Sequence, residues 1–134
     1  MFGNIGVQAV SLRQRGEYQK ITHFNYCIIM RYITVPINKE AMIRLDFDQN
    51  IEGDLVEITI TEEELDSLWK LFLKLNLLLG IHIDDYETEE VTDYKKLLEM
   101  KEILIANNTD YLTEKILHLI ELAIDYKTGI FFFF

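Results

Sequence analysis

The chain predicts an α+β fold: an antiparallel sheet of about four to six strands with three helices, the last two an αα-hairpin, and a C-terminal interior strand. Three observations lead there. Period-two and β-branched runs fill the first sixty residues, the apolar period lengthens to about 3.6 after Thr61, and the chain ends "GIFFFF". At 134 residues with 49% hydrophobic content, six glycines and one proline, the sequence fits one domain, 1–134. That composition excludes disordered and fibrous classes.

The elements follow in order. "VQAVSLR" reads as a strand ending near "QRGE", and "KITHFNYCIIMRYITV" as a second strand that stops at Pro36. Its middle, "CIIMRYI", is apolar enough to be covered on both faces. "AMIRLDFD" alternates, with Ala41, Ile43, Leu45 and Phe47 on one side. "LVEITI" alternates likewise, and "QNIEGD" between them predicts a hairpin with acids at its tip and along its outer face. Thr61 and Glu64 form a capping box, opening a helix with a core stripe of Leu65, Leu68, Trp69, Phe72, Leu75 and Leu79 that stops at Gly80. Leu71, Leu73, Leu77 and Leu78 lie off that stripe, which marks a central helix or one with a second face for a partner. A helix over about 89–106 follows, and then another, capped by Asn108 or Thr109 and ended by Gly129; the short link makes them an αα-hairpin. Successive strand side chains point to opposite faces, so Phe131–Phe134 need cover on both sides, which predicts an interior strand.

Charge is distributed unevenly. Net charge is −10, but residues 1–45 carry +4 and residues 46–93 carry −13, with nine acids and no base between Asp46 and Asp66. Such a field repels phosphate and anionic lipid, which disfavours direct nucleic-acid or membrane binding there, and attracts basic proteins. A lone cysteine, Cys27, forms no internal disulfide and reads as a buried hydrophobe, since nothing in the sequence places His23, four residues away, as its base. The N-terminus has no secretory pattern, and the longest apolar stretch is interrupted by Lys70, Lys74 and Asn76. The expectation is a cytoplasmic protein.

No phosphate-cradling loop, nucleophile elbow or cysteine–histidine motif is present in the sequence, so a non-enzymatic protein without a cofactor is expected. "DFDQNIEGDLVE" resembles the calcium loop of EF-hand proteins. Asp46, Asp48, Asn50, Asp54 and Glu57 fall at the side-chain ligand spacings and Glu52 at the carbonyl position, but Ile51 replaces the turn glycine. His82, Asp84 and Asp85 offer nitrogen and oxygen ligands without a fourth partner nearby in sequence. In "DDYETEEVTDY", Tyr86 and Tyr94 interleave with Asp84, Asp85, Glu87, Glu89 and Glu90, which suits a basic partner or a solvated helix start.

In size, in its two acidic stretches, in its single free cysteine and in lacking an export signal, the chain resembles the immunity proteins that bacteria pair with contact-dependent or other polymorphic toxins. That resemblance implies a partner: a cognate basic toxin domain, a nuclease in the leading case, blocked by an acidic surface. The residues to carry it are Asp46, Asp48, Glu52, Asp54, Asp84, Asp85, Glu87, Glu89 and Glu90, with Tyr86 or Tyr94 as anchors. A phage-type nucleic-acid mimic would use the same acids, and a small calcium- or metal-binding module is the other alternative.

Overall fold

The computed structural model describes residues 30–134. The first predicted strand, most of the second, and Cys27 and His23 lie outside these residues. Four strands, β1 (Arg31–Pro36), β2 (Leu55–Ile60), β3 (Thr88–Val91) and β4 (Ile130–Phe133), form one antiparallel sheet in the order β2-β1-β4-β3. Four helices accompany them: α1 (Lys39–Asp46), α2 (Glu62–Leu79), α3 (Tyr94–Ala106) and α4 (Tyr111–Tyr126).

The main core lies on one face. Ile33 and Val35 of β1, Ile60 of β2 and Phe132 of β4 pack with Leu68, Phe72 and Leu75 of α2, Leu97, Met100 and Leu104 of α3, and Ile116, Leu119, Ile120 and Ala123 of α4. The α3–α4 pair is antiparallel and closely packed, as the short link predicts. The capping box forms as expected: Glu64 N donates to Thr61 Oγ1 at 3.1 Å and Thr61 N donates to Glu64 Oε1 at 2.9 Å. Gly80 closes α2 in the left-handed conformation at φ 67°. The off-stripe leucines Leu73, Leu77 and Leu78 remain exposed.

The terminal phenylalanines occupy an interior strand, between β1 and β3. They divide by parity. Phe132 and Phe134 enter the main core, each with its ring centroid within 6 Å of Phe72 (5.8 and 5.7 Å), whereas Phe131 and Phe133 stack on the opposite face with Tyr32 and Leu45. Gly129 leads in because there is no room for more: a Cβ there would meet Val91 O at 2.8 Å. The helix itself ends earlier than Gly129, at Lys127, in the left-handed conformation at φ 58°.

Four expectations are corrected. "AMIRLDFD" is a helix, α1, and not a strand of a hairpin; β2 pairs with β1 instead. Asn38 caps it by accepting from Ala41 N at 2.8 Å. Ala41 and Leu45, four apart, are buried against the sheet, whereas Ile43 (55%) and Phe47 (67%) are exposed. Residues 88–91 belong to a strand and not to the start of α3, because the free side of β4 offers them a ladder. Asp93 then caps α3, and Asp110, in place of Asn108 or Thr109, caps α4 by accepting from Thr113 N at 2.8 Å. With α1 included there are four helices among the described residues, and α1 packs on the second face through Leu45.

Candidate functional site: an acidic junction between α1 and β3

The first acidic run is organised around one residue. Past α1 the backbone turns through Asp48 (φ 55°) and Gly53 (φ 90°), and Gln49 N returns to Arg44 O at 2.8 Å. Asp54 sits inside this loop and is 3% exposed. Its carboxylate accepts from Arg44 Nε at 2.8 Å and Nη2 at 2.7 Å, from Ile51 N at 3.1 Å and from Asn50 Nδ2 at 3.3 Å. The Arg44 hydrogen bonds, opposed by burial and aided by Ile51 and Asn50, hold Asp54 down at about 2, and Arg44 is raised in return. Asp54 is therefore the hub of the loop and is withdrawn from the surface the sequence suggested. Asp46 and Glu52 are exposed and Asp48 is half-buried.

The same geometry separates the residues at calcium-loop spacing. Asp54 is held by Arg44, Glu57 accepts from Thr34 Oγ1 at 2.8 Å across the sheet, and Asp46 ends a helix. Among the described residues no group of three or more His, Cys, Asp or Glu side chains is gathered to hold a metal ion.

The second run is clamped by Asn76, whose Oδ1 accepts from Ile83 N at 2.8 Å and whose Nδ2 donates to Ile83 O at 2.9 Å. This turns Ile81 and Ile83 into the core and leaves His82 and Asp84 outside. Asp85 is half-buried because Oδ1 accepts from both Nε and Nη2 of Arg31, at 3.1 and 2.9 Å, balancing a guanidinium that is 2% exposed. Of the three residues His82, Asp84 and Asp85, Asp85 is thus committed to Arg31. Glu89 accepts from His82 N at 2.6 Å and from Glu90 N at 3.1 Å, on the side of β3 away from β4 among the described strands. Asp84, Tyr86, Glu87 and Glu90 are exposed, and so is Tyr94. Tyr86 precedes β3 and Tyr94 follows it, so the two tyrosines stand at opposite ends of that strand.

The two runs meet. Register sets Glu57, Thr34, Phe131 and Glu90 in one row across the α1-bearing face, with the glutamates on the two outer strands. Partial desolvation, then the charge of Asp46, then that of Glu89 raise the Glu90 carboxyl above its ordinary range, although the residue as a whole is exposed. Asp46, more than forty positions away in sequence, is thus an electrostatic neighbour of Glu90. Around this junction the sequence reading missed the exposed apolar groups Ile43, Phe47 and Ile51. Its strand alternation buried the first two, and only the capping Asn38 argues for the helix that exposes them.

No helix among the described residues is long and apolar enough to cross a membrane. No family model matches the chain, and no curated protein matches it. Among solved structures, it is similar to the Neisseria DNA mimic protein DMP12, with a TM-score of 0.49 and 22% identity over 78% of this chain and 98% of that one.

Proposed function

We propose that this chain is a stoichiometric inhibitor: its acidic face docks on a basic, nucleic-acid-handling protein and covers the cations that otherwise hold phosphate. In the toxin-immunity form of this reading the partner is a cognate nuclease toxin; in the mimic form it is another DNA- or RNA-binding protein. The observation that carries it is that α1, ending at Asp46, packs on the sheet face to which register turns Glu90, so that repulsion from Asp46 and Glu89 adds to partial desolvation in raising the Glu90 carboxyl. A cationic partner would relieve that repulsion. Asp84 and Glu87, on the loop leading into β3, extend the negative field. Long-range charge accelerates encounter, and exposed apolar groups such as Phe47 hold the docked complex. Inhibition of this kind needs no catalytic residue.

The test is capture on immobilised protein, followed by challenge with salt and with duplex DNA. The proposal expects a partner retained at low salt and displaced by DNA, and lost from the D46K/E90K variant. A captured partner indifferent to both DNA and the substitutions refutes it. The partner's own activity distinguishes the toxin form from the mimic form.

A further inference from the structure

At the end of the sheet where Thr128 Oγ1 donates to Pro36 O at 2.8 Å, an open groove of about 620 Å³ lies between the start of α1, the start of α3 and the end of α4. Ile124 and Tyr94 form its apolar wall, the buried Leu97 and Ala123 lie behind them, and Lys39 and Lys127 contribute two ammonium groups. Asp125 is the carboxylate that lines it. Among the described residues neither lysine has an ion-pair partner.

This is the reverse of the acidic junction. In a molecule of net charge −10, two cations and one acid border a concavity with an apolar lining. Its volume is in the range of small-molecule sites, of roughly 300–1,000 Å³, which pair an apolar lining with a few polar groups that orient the ligand. We propose that the groove binds a small amphipathic anion, with an aromatic or aliphatic body against Ile124 and Tyr94 and one carboxylate, sulfonate or phosphate head between Lys39 and Lys127. Tyr94, which the sequence reading assigned to a protein partner, belongs to this groove as an amphipathic wall. The inference is independent of the proposed inhibitor function.

The test uses 8-anilino-1-naphthalenesulfonate as probe and its neutral analogue N-phenyl-1-naphthylamine as the head-group control. The sulfonate is expected to bind one per chain, and K39Q/K127N to weaken it by about fivefold or more, the scale of two partly exposed charge contacts. Asparagine is chosen at 127 because it tolerates the positive φ found there. The neutral analogue should bind parent and variant alike. L77K, on the exposed leucines of α2, should leave sulfonate binding intact. Absence of sulfonate binding, equal binding by K39Q/K127N, or loss of binding in L77K overturns the proposal.

Discussion

Replacing Asp54 by asparagine keeps size and shape but removes the charge at the centre of the 47–54 loop. The carboxyl is held at about 2 against an ordinary value of 3.8, and a difference of that size corresponds to about 2 kcal/mol of folding stability. A depressed acid contributes stability above its unfolded value and loses it as pH falls through the folded one. The parent should therefore lose this contribution between pH 3.8 and about 2. D54N should lack it at neutral pH, unfolding in urea with stability lower by about 2 kcal/mol and a flatter acid profile. E52Q, at an exposed acid in the same loop, should stay within about 0.5 kcal/mol of the parent. If D54N matches the parent within that margin at pH 7, Asp54 is not the hub and belongs back among the surface acids.

Other consequences concern the core and the junction. F132A empties a position 1% exposed between Phe72 and Phe134 and should cost about 3–5 kcal/mol in urea unfolding; a loss under about 1 kcal/mol contradicts the burial of β4. G129A places a Cβ against Val91 O at 2.8 Å and Thr92 Cγ2 at 2.7 Å, and should cost about 1–3 kcal/mol by the same measurement. Glu90 is raised, so its proton is held more tightly in the folded state and its ionisation opposes folding above that value. E90Q should therefore be more stable than the parent at pH 7, with the gain vanishing on acidification. Carboxyl NMR titration of D46N should show Glu90 moving back toward its ordinary value, and an unmoved Glu90 excludes Asp46 as its neighbour.

Parts of this fold are written locally and were legible. Four consecutive phenylalanines admit only a doubly covered strand, and the Thr61–Glu64 box with its leucine stripe admits only a helix. The misread elements depend on distant partners. In α1, Ala41 and Leu45 satisfy both a period of two and a spacing of four, and only the capping Asn38 favours the helix. In β3, "TEEV" carries one inward apolar residue, Val91, and is a strand because β4 lies beside it. The composition showed that acids were abundant, but not which were already committed. Asp54 to Arg44 and Asp85 to Arg31 are pairings across ten and fifty-four positions. The meeting of Asp46 with Glu90 likewise arises only from tertiary structure.

The central claim is that binding depends on where the acids stand and not on total charge. The direct measurement compares D46K/E90K with E99K/E102K, which makes the same change in net charge on exposed positions of α3. Affinity for the captured partner is read at low and physiological salt. The account predicts that D46K/E90K abolishes binding, while E99K/E102K lowers it modestly and only at low salt. Equal loss in both variants, or in neither, contradicts it.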